Sequence, residues 1–353
     1  MNMRPIDNLQ RLLSGGSPQW IPFSLDVGAI AGFSAPIQRI FCEKTGARSP
    51  GEYFGADVRL FSLVGEFGGD DPAAMHESIE PGTTFDEWGI GHVAGSEGTV
   101  DQMFPPLGRA VAIRDVEALP TPRIRSDIDT SLIDYDHAAG YPVFGYGGSI
   151  YEWSWWLRGM ENFLADLVSQ PALAEAIIRR VEEYTTRLAT ETARLGVDVL
   201  CFYDDAGMQS GLQVSPSVWR RFVKPAWERV LAAVRTHSPD TKFFFHCCGK
   251  IEQIVPDIIE CGFHVLHPVQ PECMSFEENY RQYGRDIVIT ATLSSQRLLP
   301  FGTPAGVRDE VRRIASLAVD RRTILMPSNV IQPETPWENV VAFADAAREL
   351  RLS

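Results

Sequence analysis

The chain contains no apolar run approaching the roughly 20 residues that span a bilayer. Its first residues, Met1-Asn2-Met3-Arg4-Pro5-Ile6-Asp7, carry no signal-peptide core. A cytoplasmic protein is expected. Positive charge is in short supply: 32 Lys and Arg against 46 Asp and Glu, a formal net charge of -14. That balance repels phosphate backbones and anionic lipid surfaces, so neither nucleic acid nor membrane is an expected partner. A small anion remains compatible, because one buried Arg can dominate a pocket. Only six cysteines occur, Cys42, Cys201, Cys247, Cys248, Cys261 and Cys273. In a reducing compartment they read as buried thiols or metal ligands rather than disulfides. No G-x-G-x-x-G opens a helix, which removes the signature of a dinucleotide fold. Internal repeats and low-complexity tracts are also missing.

What is present is a large apolar fraction, 44% of 353 residues, enough to bury a sizeable core. A short helix is expected around Leu9, Leu12 and Leu13, followed by a first strand over Trp20–Leu25. Residues 26–140 are irregular and rich in Gly and Pro, with a strand at Val58–Leu63 and a hairpin from Thr84 to Val93. After 141 the pattern becomes regular. Strands at Pro142–Gly147, Val197–Tyr203, Phe243–Cys247, Phe263–Leu266, Ile287–Thr290 and Thr323–Met326 alternate with amphipathic helices. Ser215 followed by Pro216 marks a helix start, with Ser215 as N-cap. Short apolar strands separated by helices are parallel βαβ units covered on both faces. Chain length, and polar residues ending almost every strand, favour an α/β fold of the (β/α)8 TIM-barrel type. It would have an N-terminal extension and an elaborated first third, all within one domain spanning 1–353.

In such a barrel the chemistry sits at the C-terminal strand ends. Here they read Tyr203-Asp204-Asp205, His246-Cys247-Cys248-Gly249, His267-Pro268-Val269-Gln270 and Pro327-Ser328-Asn329. Alternation along a strand puts His246 and Cys248 on one side and Cys247 on the other. An imidazole and a thiolate so placed are a natural pair of zinc ligands, and a catalytic zinc needs a third protein ligand plus an exchangeable position. The competing reading is a buried Cys beside a hydrogen-bonded His. One of Asp204 and Asp205 should face the barrel mouth, as an acid or as a brace for the loop. Tyr151, Trp153, Trp155 and Trp156 either pack the core or wall a pocket for a planar ligand. Arg158 is expected to pair with an acid on the next helix.

Several ordered segments resemble the uroporphyrinogen decarboxylase superfamily. His246-Cys247-Cys248-Gly249, Ile254–Gly262 and His267–Pro271 together resemble its H-x-C-G…iPdliE-x-G…npvQp signature. Trp156–Glu161 resembles its "lrGmE" segment, and Val214-Ser215-Pro216 with Phe222–Pro225 its "isPe…fvkP" segment. Leu299–Pro304 and Ile331–Pro336 resemble "LpfGtpe" and "IqpdtP". The heme-pathway branch carries an M-R-Q-A-G-R segment after the first strand, where this chain reads Asp26–Gly32 without an Arg. That branch also carries an Asp where Leu63 falls here. The resemblance therefore leans toward the methyltransferase branch, whose zinc activates a thiol that accepts a methyl group from a methylated corrinoid protein. It implies zinc on His246 and Cys248. Asn329 stands where the branch has a distant cysteine ligand, so either Asp205, Glu272 or Cys273 completes the site or the metal is lost.

The leading expectation is a methyltransferase moving a methyl group between a small substrate, such as a methoxylated aromatic, and a corrinoid (cobalamin-type) protein or zinc-activated thiol. Asp204, Asp205 and His246 are the expected catalytic groups. Tyr151, Trp153, Trp155, Tyr203, Gln270 and Asn329 are expected to contact substrate, with Gln296 a further pocket residue. The alternatives are a decarboxylase in which Asp204 or Asp205 protonates a carbanion, and a barrel that binds a tetrapyrrole or corrinoid protein without chemistry. A homodimer is compatible with each.

Overall fold

The computed structural model describes residues 3–93, 102–125 and 127–352. Parallel strands run in the order β1 (Arg59–Phe61), β5 (Val143–Gly148), β6 (Val199–Tyr203), β9 (Lys242–His246), β10 (Val265–His267) and β11 (Val288–Ile289). The numbers omitted there belong to β2 (Thr84–Phe85), β3 (Gly91–Val93) and β4 (Gln102–Phe104), a small antiparallel sheet, and to the ribbon β7 (Gly207–Met208) and β8 (Gly211–Leu212). At Thr290 the seventh stave changes partner. β11 pairs with β10, whereas the continuing β12 (Ala291–Leu293) pairs with β13 (Leu325–Pro327). Leu325 in turn pairs with Phe23, whose carbonyl accepts from Asp57 N at 2.9 Å beside β1. The Phe23 segment, β1, β5, β6, β9, β10, β11–β12 and β13 thus close a barrel of eight staves. The expected TIM barrel is the observed fold.

The expected first strand, Trp20–Leu25, is reduced to one bridge at Phe23. Pro22 has no N–H to give, and the buried Asp57 carboxylate takes Phe23 N at 3.0 Å and the Trp20 indole at 2.9 Å. The segment is held by a side chain where a ladder was expected. The hairpin over 84–93 forms as β2–β3 and gains β4 as a third strand. The helix expected from Ile251 opens as a 3-10 turn at Glu252–Ile254 and becomes α-helical over Val255–Cys261, where Pro256 falls in its first turn. Ser215 caps the helix Pro216–Phe222, accepting from Val218 N.

Strand alternation divides the apolar residues into two cores. Val199, Cys201 and Tyr203 of β6, with Phe244 of β9, Val265 of β10 and Met326 of β13, fill the barrel, and Leu9 and Leu12 of the helix Pro5–Leu13 pack with them. Leu200, Phe202, Phe243, Phe245 and Leu266 face outward under the helices. Both faces of each strand are therefore dry, which is why these strands read as continuous apolar runs. Among the described residues no helix is long and apolar enough to cross a membrane.

Candidate active site

The register of three adjacent strands builds the site. Tyr203 pairs with His246, and His246 with His267, so the three inward side chains share one layer at the top of the barrel. One step further along β9, Cys247 turns outward into the helix-packed core, and Cys248 returns to the mouth. Asp205 arrives from the end of β6. His246 Nε2 lies 3.3 Å from Cys248 Sγ and 3.8 Å from Asp205 Oδ1. The three ligand atoms all fall within 4.8 Å of one another. Asp205 Oδ1 also accepts from Cys248 N at 2.7 Å, tying the two strand ends together. Below them, His246 Nδ1 meets His267 Nδ1 at 2.9 Å, and His267 Nε2 meets the Pro327 carbonyl at 3.0 Å.

Burial sets the protonation of this cluster. It pushes His246 down to about 3, so the imidazole is a neutral base at ordinary pH. It raises the Cys248 thiol well above its usual value, reinforced by the Asp205 charge. It also raises Asp205. Glu152, in the first turn of the helix Tyr151–Arg158 that follows β5, is held well above the usual carboxyl range by burial and then by Asp205 and Asp204. Two carboxyl groups and a thiol so close together cannot all ionise without a cation to neutralise them.

A cavity of about 380 Å³ opens above Cys248, lined also by Asp205, Met208, Gln209, Gln270, Gln296 and Asn329. His246 lies beneath that lining, 6% exposed. Gly249 turns the chain with φ 88°, against the β7–β8 ribbon, and a Cβ there would come within 2.7 Å of the Gly207 and Met208 backbone. Gln270 Oε1 accepts from Gly249 N at 2.8 Å, which leaves Gln270 Nε2 buried without a partner. Asn329 Nδ2 donates to Cys248 Sγ at 3.3 Å.

The structure brings Asp205, His246, Cys248, Gln270, Gln296 and Asn329 together and leaves the other expected residues elsewhere. Asp204 turns away from the mouth. Its Oδ1 accepts from Ser149 Oγ, Ile150 N and Glu152 N, and its Oδ2 from the Trp227 indole at 2.7 Å, so it braces the start of the helix Tyr151–Arg158. Tyr203 lies inside the barrel, its hydroxyl donating to the Val27 carbonyl and accepting from Ala29 N. Tyr151 is fully buried and donates to Gln213. Trp153 packs edge-on against Trp88 in the core. Trp155 and Trp156 line a separate cavity with Met103, Pro105 and Met160. Glu272 accepts from Ser294 Oγ, and Cys273 Sγ donates to Gln209 at 3.1 Å, so neither joins the ligand cluster. Arg158 pairs with Asp166 at 2.7 Å, as expected of it.

Sequence reasoning missed two groups. Glu152 is hidden inside an aromatic run, in the first turn of the helix that follows β5. His267 stands at a strand end and within a motif, but only the pairing of β9 with β10 sets it beside His246.

Residues 132–350 match the family described as Uroporphyrinogen decarboxylase (URO-D), more than half of the chain and all of the cluster. The chain belongs to the uroporphyrinogen decarboxylase family. Within it, the curated relatives include a methylcobamide:CoM methyltransferase, MtaA, from Methanosarcina barkeri. It is 25% identical over 204 residues, covering 55% of this chain and 57% of that protein. A uroporphyrinogen decarboxylase from Prochlorococcus marinus (strain NATL1A) is 22% identical over 188 residues, covering 51% and 49%. The chain thus spans about half the length of the curated relatives it matches. A solved methyltransferase from Methanosarcina mazei superposes with a TM-score of 0.72 over 99% of both chains at 19% identity, a shared fold.

Proposed function

We propose that this member of the uroporphyrinogen decarboxylase family is a zinc-dependent methyltransferase of one barrel domain, residues 1–353. It would move a methyl group between a small substrate, such as a methoxylated aromatic, and a corrinoid protein or a thiol. The observation that carries the reading is the Asp205–His246–Cys248 cluster. Zinc bonds of about 2.0–2.3 Å in a tetrahedron put ligand atoms about 3.3–3.8 Å apart. The two distances from His246 Nε2, 3.3 and 3.8 Å, fit that edge length. The donor chemistry fits as well: a neutral imidazole, a thiol that a cation would deprotonate, and a carboxylate in place of the branch's second cysteine.

Zinc held there would keep a bound thiol deprotonated and nucleophilic at neutral pH. The chain's own residues do the rest. His246, Cys248 and Asp205 would hold the ion, with the Glu152 carboxyl, raised by burial and by Asp205, beside them. Gln270 offers its free Nε2 to an acceptor in the cavity, which the side chains of Met208 and Gln209 border. The relative that carries methylcobamide in its name supports a corrinoid as the methyl carrier.

The Glu152 carboxyl, held well above its usual range by burial and by Asp205, favours one second reading, a decarboxylase that supplies a proton to a carbanion. Metal analysis with a turnover assay separates the two. The methyltransferase reading expects one zinc per chain, lost in His246→Ala, and demethylation of methylcobalamin by a thiol that disappears with it. A metal-free protein that releases carbon dioxide from a carboxylated substrate would overturn it. Binding of a tetrapyrrole with neither turnover would overturn both.

A further inference from the structure

The His246 ring is approached from both of its nitrogens. Nε2 faces the sulfur of Cys248 and the carboxylate of Asp205, while Nδ1 lies 2.9 Å from Nδ1 of His267. Two imidazole nitrogens at that separation need one proton between them. Which ring supplies it is decided a step further in. His267 Nε2 lies 3.0 Å from the Pro327 carbonyl oxygen, and a carbonyl can only accept, so Nε2 of His267 carries a hydrogen. A neutral imidazole has one N–H, which leaves Nδ1 of His267 as a bare lone pair. The shared proton therefore belongs to His246 Nδ1.

A doubly protonated His267 would reverse this, but its surroundings oppose a charge. The ring is 0% exposed and stacks on Phe244 at a centroid distance of 5.3 Å. Its hydrogen-bond partners are a neutral imidazole and one carbonyl. An unpaired cation in that interior would lose its hydration with nothing to replace it.

We propose that His267 is a positioning residue that holds His246 in the Nδ1–H tautomer, so that the Nε2 lone pair faces the ligand cluster. The relay starts at a backbone atom of β13, crosses β10 through His267 and ends at β9. Its anchor is therefore a peptide carbonyl, which does not titrate. Second-layer hydrogen bonds of this kind orient metal-bound histidines and are commonly made by a carboxylate, a carbonyl or water. Here an imidazole passes the carbonyl's demand on to its neighbour. The inference rests on the zinc reading only for what the lone pair serves.

The test is 15N NMR of metal-free protein labelled at histidine, at neutral pH, with the His246 signals assigned by their loss in His246→Gln. Wild-type protein is expected to show a protonated Nδ1 and a bare Nε2 on His246. In His267→Phe the Nε2-protonated tautomer should become populated, and zinc affinity measured by chelator competition should fall at least about tenfold. His267→Gln, which can donate to the carbonyl and accept from His246, should recover much of both. A proton on Nε2 of wild-type His246 would overturn the proposal. So would a folded His267→Phe protein, by near-ultraviolet circular dichroism, with unchanged tautomer and affinity. If the Phe variant does not fold, the wild-type spectrum and the Gln variant decide. Wild-type protein that binds no zinc would remove the functional reading, yet its spectrum would still settle the role of His267.

Discussion

The side-chain amide of Asn329 donates to the sulfur of Cys248 at 3.3 Å, joining the ends of β13 and β9 across 81 residues of chain. The side chain of Asn329 therefore reaches the sulfur of the proposed zinc site. An amide nitrogen that donates a hydrogen bond is no zinc donor, so in the proposed site the third ligand would be Asp205, 3.8 Å from His246 Nε2.

Asn329→Cys should therefore tighten zinc. A thiolate is a better zinc ligand than a carboxylate shared with a backbone N–H. An affinity gain of about tenfold or more is expected by chelator competition in the presence of reductant, and Asp205→Asn should then cost less than it does in wild type. Unchanged affinity would mean that position 329 does not reach the ion.

Zinc binding should depend on pH through Cys248. His246, lowered to about 3 by burial, is already the free base near neutrality and releases no proton. The Cys248 thiol, raised by burial and by the Asp205 charge, is protonated and must give its proton up. The proton and the metal compete, so affinity falls as pH falls, by about tenfold per unit between pH 6 and 8. Asp205, also raised by burial, adds to the slope at the acidic end. Calorimetry in two buffers of different ionisation enthalpy counts the protons. A flat profile would mean that the thiol was ionised beforehand.

Asp204→Ala should damage the fold. It would leave three donors at the start of the helix Tyr151–Arg158, and the Trp227 indole, without their acceptor. At about 1–3 kcal/mol for each buried orphan, partly relieved by water, a loss of at least about 3 kcal/mol is expected in denaturant unfolding. Zinc stoichiometry of the protein that remains folded should stay at the wild-type value. Wild-type stability combined with lost turnover would instead make Asp204 catalytic.

Trp153→Ala is expected to cost about 3–5 kcal/mol of stability without altering zinc content, because the ring fills core space between Trp88 and Tyr184. Trp155→Ala, at a partly open cavity, should cost less. A Trp153 variant of ordinary stability and impaired substrate binding would place that ring at the ligand.

Gly249→Ala should lower stability by about 1–3 kcal/mol for the positive φ alone, and more for the contact with the Gly207 and Met208 backbone. Since the same turn aims Cys248, zinc affinity should fall with it, as chelator competition would show. Wild-type stability and affinity would mean that the ribbon can simply move aside.

Much of the architecture was legible because it depends on local pattern. Buried parallel strands produce apolar runs of fixed length, and amphipathic helices between them fix the βαβ order. The alternation that sends His246 and Cys248 to one side and Cys247 to the other is a property of any strand. Ser215 ahead of Pro216 announces a helix start wherever it occurs. The first strand was not legible in the same way, since Asp57, 34 residues from Phe23, takes the hydrogen bond that a ladder would have used.

The membership of the site was decided by closure of the barrel. Asp204 and Asp205 are adjacent and chemically identical, and only the position of Trp227 and the helix start on one side, and of Cys248 on the other, gives them different tasks. His267 acquires its place from the pairing of β9 with β10, and Asn329 from the return of β13 to the mouth. A linear chain specifies which faces are apolar and which residue types end the strands. Distances between strand ends that are far apart in sequence follow only from register, and register exists only once the sheet has closed.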